Sequence, residues 1–263
     1  NVIKKYGICP KSAFVETYTS SNTRTLNLLL NTELRKFASE ARRVNIREGI
    51  AAVESLKESY MKRFYKALLS CYGVPPKEFD LKYEDEKGNL KVERGLNPHT
   101  FFEKYIGDKL DEYVSVINAP TKSKPFNKSY TVKFLGNVEG GKIVKHLNLP
   151  MERVKELILA QLKDGEIVWY GSDVSFYGDR MRGFWNDEEY DFKSLIDLDF
   201  EMDKGESLDF RASAMGHAMC ITGVAFDKDG KPSKWKIENS WGDDRGHNGY
   251  FVMSASFFDK YVY

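Results

Sequence analysis

Two stretches in the first part of the chain repeat apolar residues every three or four positions. Between residues 50 and 73 the repeat ends at Gly73 and the prolines that follow it. This spacing puts apolar side chains on one stripe of an α-helix, so the pattern predicts two long helices that pack as an antiparallel pair. In the earlier stretch, residues 19–45, the stripe consists of Leu26, Leu29, Leu30, Leu34 and Phe37.

Further along the chain, the pattern changes to alternation in most segments. Residues 79–96 read as a β-hairpin that turns at Lys87-Gly88-Asn89, and a helix follows that Asn97 caps and Pro98 begins. Another helix is predicted over residues 150–165. The strongest β patterns are residues 166–174, 217–227, 233–242 and 249–258. Because helices come first and strands later, we predict an α+β fold, with residues 1–130 mainly helical and residues 131–263 forming a β-rich half.

Composition and charge narrow the possible partners. The 263 residues include 40 Lys and Arg against 39 Asp and Glu. The chain therefore lacks the excess of basic residues that would indicate nucleic-acid binding. No apolar run approaches the roughly 18 residues of a membrane helix. The three cysteines, Cys9, Cys71 and Cys220, are an odd number and widely spaced, which fits neither a disulfide framework nor a zinc site. We therefore expect reduced thiols, a cytoplasmic protein and no metal or other cofactor.

One histidine and one asparagine lie at the ends of two predicted neighbouring strands. The strands that begin at His217 and end near Asn239 are joined by a turn-forming stretch, so antiparallel pairing would bring the two side chains together. The amide oxygen of Asn239 would then accept the Nδ1 proton of His217 and leave Nε2 as the base. Trp241 lies on the same side of its strand and would shield this hydrogen bond from water. A neutral amide supports an imidazolium less than a carboxylate does, so this arrangement calls for a low-pKa cysteine as nucleophile.

These residues carry a resemblance to papain-like cysteine peptidases. Gly-His-Ala-Met at 216–219, Glu-Asn-Ser-Trp-Gly at 238–242 and Gly-Tyr-Phe at 249–251 resemble the C-terminal half of those enzymes. Residues 5–23, 124–132, 162–174 and 235–263 are similar to the bleomycin hydrolase and bacterial aminopeptidase C family, and the resemblance covers essentially the whole chain.

The resemblance implies a fold, an activity and an assembly. It implies a papain-like fold in which the helices of residues 20–75 belong to a large insertion. His217 would be the base and Asn239 its orienter in a cytosolic cysteine aminopeptidase that removes residues from peptide N-termini. The resemblance also implies peptide substrates and a homo-oligomer, a hexameric ring with its active sites facing an inner channel.

The family's nucleophile motif, a Gln followed by Gly-x-Cys-Trp at the start of a helix, is absent from this sequence. Cys220 is three residues from His217 and should point to the opposite face of the strand, into the core. Cys71 ends a helix, where the dipole disfavours a thiolate, and Cys9 precedes a proline in an extended segment. We therefore expect a fragment whose cysteine-bearing segment lies upstream of Asn1 and which also lacks the family's C-terminal tail. The competing explanation is a paralogue that has lost its nucleophile and acts as a scaffold or peptide-binding protein.

Three further residues are candidate substrate contacts. Gly216 and Ala218 flank His217, and small residues there would let a substrate backbone approach, although compact packing explains them equally well. Asp173 follows a predicted strand whose equivalent in the family lines the substrate pocket. The competing interpretation of Asp173 is a turn cap.

Overall fold

The computed structural model describes residues 1–263, apart from the side chains at positions 108 and 109. The chain divides into two compact units, residues 1–112 and residues 113–263. This division comes earlier than the boundary expected at 130/131, because strands at 115–117 and 128–130 both pair with a strand at 146–148. The mixture of helices and sheets confirms the α+β class.

The first unit is built around the two long helices that the apolar spacing predicts. Its elements are α1 (Val2–Tyr6), α2 (Tyr18–Ser21), α3 (Arg24–Glu48), α4 (Ile50–Tyr72), β1 (Phe79–Glu84), β2 (Leu90–Leu96), α5 (Pro98–Tyr105) and a 3-10 helix (Gly107–Asp111). Gly49 joins α3 to α4 at φ 80°, a left-handed conformation that favours glycine. Tyr60 of α4 is buried against Phe37 of α3, with ring centroids 5.0 Å apart.

The stripe on α3 is buried over only part of its length. Leu26 is 7% exposed, whereas Leu29 and Leu34 are 61% and 50% exposed. The hairpin of β1 and β2 and the helix α5 form as expected. Asn97 caps α5 by accepting from the backbone N–H groups of His99 and Thr100.

The second unit contains two sheets. Its elements are β3 (Ser115–Ile117), β4 (Lys128–Tyr130), β5 (His146–Asn148), α6 (Met151–Lys163), β6 (Val168–Ser172), β7 (Gly178–Asp179), β8 (Phe184–Trp185), α7 (Phe192–Ile196), α8 (Lys204–Asp209), β9 (His217–Phe226), β10 (Pro232–Glu238), β11 (Tyr250–Ser254) and α9 (Ala255–Tyr261). The small sheet has the order β3-β5-β4, and the six-stranded sheet has the order β6-β9-β10-β11-β8-β7.

A buried asparagine in β5 holds the loop that joins β3 to β4. Asn148 is fully buried, and its amide oxygen accepts from the N–H of Ala119 at 2.9 Å. The amide nitrogen donates to the carbonyl oxygens of Ala119 and Lys124. Burying a polar side chain is favourable only when its donors and acceptors are satisfied, and three bonds meet that condition here.

One face of the six-stranded sheet forms the core of the second unit. Alternate residues of β9 and β10 point into it, and the core residues include Met219, Ile221, Trp235 and Ile237. The expected strand over residues 249–258 is only half right. Its first part is β11, but Ser254 accepts a hydrogen bond from the N–H of Phe257 and so begins α9.

None of the helices in the described part of the chain combines the length and the apolar character that crossing a bilayer requires.

Candidate functional site

Both candidate catalytic residues are held by the central strands of the six-stranded sheet. His217 is the first residue of β9 and pairs with Ser172 of β6, so its backbone is fixed by a neighbouring strand. β9 and β10 pair antiparallel with Cys220 opposite Glu238, as the turn-forming linker predicts. Asn239 directly follows β10, and its N–H donates to the carbonyl oxygen of Gly249 at 3.1 Å.

The imidazole and the carboxamide are in hydrogen-bond contact. Nε2 of His217 lies 2.9 Å from Oδ1 of Asn239. The same oxygen accepts the backbone N–H of Ser240 at 2.8 Å. Because a backbone N–H can only donate, this second bond fixes which end of the amide is the oxygen. Nε2 must therefore carry the proton in the neutral ring, and Nδ1 is left with a free lone pair.

Our prediction of which imidazole nitrogen contacts Asn239 was wrong. We expected Nδ1 to bond to Asn239 and Nε2 to be the base, and the structure reverses the two. Continuing the strand register puts Asn239 opposite Met219, which is one pleat along from His217. Such diagonal neighbours are about 7–8 Å apart, so the ring nitrogen farther from the backbone is the one that reaches the amide.

Trp241 packs directly on the imidazole. Its ring centroid is 4.8 Å from that of His217, and the two planes are tilted by only 21°. The indole also contacts Trp185 and Phe251 in edge-to-face geometry, at 6.0 and 5.6 Å. The half-buried Trp241 thus connects the imidazole to the core.

The Asp173 carboxylate is occupied by hydrogen bonds within the protein. Asp173 is 5% exposed, and its Oδ2 accepts from the hydroxyl of Ser213 at 2.6 Å and from the N–H of Ala214 at 3.2 Å. Oδ1 accepts from the N–H of Ser175 at 2.9 Å. Burial alone would raise the pKa of Asp173, but these hydrogen bonds outweigh it and lower the pKa. This geometry favours the turn-cap interpretation over a substrate contact.

Asp173 therefore fixes the segment that leads into His217. The bonds to Ser213 and Ala214 anchor that segment, and the N–H of Gly216 donates to the carbonyl oxygen of Ser172 at 3.1 Å. Nothing in the local sequence pattern indicated the contact with Ser213, because the two residues are far apart in the chain.

Gly216 and Ala218 are both exposed beside the imidazole. A Cβ at Gly216 would find only the carbonyl oxygen of Ala214, at 3.8 Å, so the protein's own packing does not require glycine there. The side chain of Ala218 belongs to the opposite strand face from that of His217. Only its backbone is therefore adjacent to the candidate base.

The three cysteines are all free thiols and all partly buried. Cys220 lies on the opposite strand face from His217, as predicted, but that face is not the core face, so the expected core position was wrong. Burial raises the pKa of the Cys220 thiol, and Glu238 raises it further. Burial also raises the pKa of Cys9. Cys71 lies at the C-terminal end of α4. These environments disfavour a thiolate.

A pocket of about 580 Å³ in the second unit lies apart from this pair. It is lined by aromatic and charged side chains, but His217, Asn239 and Trp241 are not among them. Among the described side chains, no group of three or more His, Cys, Asp or Glu residues is arranged to hold a metal ion. The candidate chemistry therefore rests on the His217–Asn239 pair.

Comparison with known proteins assigns the chain to a family. The model of the Peptidase C1-like family matches residues 1–263. Aminopeptidase C of Streptococcus thermophilus is 49% identical over 265 residues, which is 100% of this chain and 59% of that protein. Aminopeptidase C of Lactobacillus delbrueckii subsp. lactis is also 49% identical, with 100% of this chain and 58% of that protein covered.

A solved structure shows the same fold. The crystal structure of PepW from Lactobacillus rhamnosis HN001 is similar with a TM-score of 0.95 at 48% identity, over 100% of this chain and 59% of that one. The chain thus spans less than two thirds of the length of these relatives. The papain-like α+β fold is confirmed, and the chain belongs to the Peptidase C1-like family.

Proposed function

We propose that this chain is the histidine- and asparagine-bearing part of a cysteine aminopeptidase. The observation that carries the proposal is the bond from Nε2 of His217 to Oδ1 of Asn239, which leaves Nδ1 as a base of fixed orientation. The match to Aminopeptidase C relatives over the whole chain supports the same activity.

The nucleophile in this proposal is a cysteine thiol supplied by a segment outside this sequence. Nδ1 of His217 accepts the thiol proton, and the resulting imidazolium and thiolate form an ion pair. Asn239 then supports the imidazolium by accepting its Nε2 proton in a hydrogen bond, while Trp241 keeps that bond away from water.

The reaction then proceeds through an acyl-enzyme. The thiolate sulfur bonds to the peptide carbonyl carbon, and the imidazolium gives its Nδ1 proton to the leaving amine as the C–N bond breaks. Nδ1 next removes a proton from a water molecule, which attacks the thioester carbonyl. The C–S bond breaks and the acid leaves, and the thiolate with the Nδ1-protonated imidazolium restores the starting ion pair.

The expected substrates are peptides that lose N-terminal residues. The names of the relatives support this class. Exposed Gly216 and the backbone of Ala218 lie beside the candidate base, where a substrate backbone would approach. Asp173 is better assigned to anchoring the segment before His217 than to binding peptide.

Reconstitution tests the proposal. The chain is co-expressed with the cysteine-bearing segment of its own gene, and hydrolysis of an aminoacyl fluorophore is measured. We expect no activity from this chain alone, and activity from the complex that iodoacetamide abolishes. His217→Gln should remove the activity. His247→Gln serves as the control, because His247 is exposed and has no role in the proposed mechanism. Hydrolysis that survives His217→Gln, or a folded complex without thiol-sensitive hydrolysis, would instead support a scaffold or peptide-binding role.

We further propose that the intact protein is cytoplasmic and forms a homo-oligomeric ring of six subunits. The family resemblance supports both proposals. Light scattering of the reconstituted complex measures the assembly, and a mass of six subunits is expected. A stable monomer at micromolar concentration would contradict the ring.

A further inference from the structure

Trp241 contacts a cationic side chain as well as the candidate base. The guanidinium carbon of Arg180 lies over the indole, 4.7 Å from the ring centroid, while the imidazole of His217 stacks on the same indole at 4.8 Å. We propose that Arg180 is a positioning residue that holds Trp241 against His217. This inference rests on the proposed role of His217 as the base.

Arg180 is exposed, but it extends from a tightly held turn. The turn joins β7 to β8, and Oδ1 of Asp179 accepts from the N–H groups of Met181 and Arg182 at 2.9 Å each. The carbonyl oxygen of Asp179 also accepts the N–H of Gly183 at 2.8 Å. The backbone of Arg180 therefore has little freedom to move away from Trp241.

This turn is also locked to the loop that follows Trp241. Gly183 has φ 77°, and a Cβ built there would lie 2.4 Å from Cα of Gly246, so the two backbones touch. The N–H of Gly246 donates to the carbonyl oxygen of Met181 at 3.2 Å. The fold thus sets the distance between the start of the Arg180 side chain and the indole.

The other aromatic contacts of Trp241 differ in geometry from the guanidinium contact. Trp185 and Phe251 meet the indole edge to face, at 6.0 and 5.6 Å. A planar guanidinium over the ring adds a contact that depends on ring orientation, since it is attracted to the π-face. Arg180 therefore favours the rotamer in which the indole stacks on His217.

Histidine NMR tests the proposal directly on this chain. The chain has four histidines, so the ring protons of His217 can be assigned by comparison with His217→Gln. We expect the stacked indole to shift these protons upfield. Arg180→Met should reduce that shift, and Arg180→Lys should reduce it less. Because Arg180 is exposed, neither substitution should unfold the chain.

Arg182→Met is the matched control, because Arg182 extends from the same turn but lies over Phe184 at 4.8 Å. It should leave the His217 resonances unchanged. In the reconstituted enzyme, Arg180→Met should lower kcat about 2- to 5-fold with KM unchanged, since Arg180 acts through Trp241 and not on substrate. An unchanged His217 shift in Arg180→Met would overturn the inference, even if the reconstituted enzyme is active. Absence of hydrolysis by the wild-type complex would overturn the proposed function instead, and the NMR comparison would still decide the role of Arg180.

Discussion

The Asp173 carboxylate offers a sharp test of how the structure fixes the approach to His217. Oδ1 accepts one N–H, from Ser175, and Oδ2 accepts from Ser213 and Ala214. Asp173→Asn keeps the shape but replaces one of the two acceptor oxygens with an NH₂ group. Whichever way the amide turns, one backbone N–H faces another donor. We therefore expect this substitution to destabilise the second unit.

The size of the effect follows from the bonds that are lost. A hydrogen bond to a charged acceptor contributes about 1.5–3 kcal/mol, and a buried donor left unsatisfied costs about 1–3 kcal/mol. Because some of this cost is relieved by local adjustment, the free energy of unfolding should fall by about 2–4 kcal/mol. Asp227→Asn is the matched control. Oδ1 of Asp227 accepts both of its backbone donors, and an amide oxygen can replace it.

Urea unfolding followed by tryptophan fluorescence measures the difference. Trp169, Trp185, Trp235 and Trp241 all lie within residues 113–263, so the signal reports on the second unit. The pKa of Asp173 is lowered in the folded state, so its contribution is complete above the unfolded value of about 3.9 and is lost as pH falls through the folded value. The difference between wild type and Asp173→Asn should thus be full at neutral pH and shrink below about pH 4. An Asp173→Asn effect no larger than that of Asp227→Asn, about 0.5 kcal/mol or less, would refute the reasoning.

Three further predictions follow from other buried or paired groups. Asn148→Ala leaves one partly buried N–H and two carbonyl oxygens without their bonds, and urea unfolding should show a loss of about 3–5 kcal/mol; a loss below about 1 kcal/mol would contradict this. Burial lowers the pKa of Lys204 to about 7, so the unfolded chain binds more protons above that pH, and the wild-type unfolding free energy should rise from about pH 7 to 9. Lys204→Met should lack this rise, and an equal rise in both proteins would contradict the lowered pKa of Lys204. Asn239→Ala should lower kcat/KM of the reconstituted enzyme about 10- to 100-fold, or about 1.4–2.8 kcal/mol, and steady-state kinetics showing no loss would remove Asn239 from the mechanism.

Features set by neighbouring residues could be predicted from the sequence. The two long helices, the hairpin at residues 79–96 and the capped helix after Asn97 follow from apolar period and turn chemistry, which act over a few positions. The contact between His217 and Asn239 was also predictable, because a short turn joins their strands and fixes the direction of pairing.

Features that depend on three-dimensional register could not be predicted in this way. Which imidazole nitrogen meets Asn239 depends on a diagonal placement across two strands. The bonds of Asp173 to Ser213, and the approach of Arg180 to Trp241, join residues separated by 40 or more positions. The division of residues 249–258 into a strand and a helix depends on the Ser254 cap, which is one of two serines within that mostly apolar run.

The state of the His217 imidazole tests the central claim most directly. In ¹⁵N-histidine-labelled chain above pH 8, long-range ¹H–¹⁵N correlation distinguishes a protonated ring nitrogen from one with a free lone pair. The structure predicts a single neutral tautomer for His217, with the proton on Nε2 and the lone pair on Nδ1. A proton on Nδ1 would contradict the account. An averaged mixture of the two tautomers, the same in the wild-type chain and in Asn239→Ala, would contradict it as well.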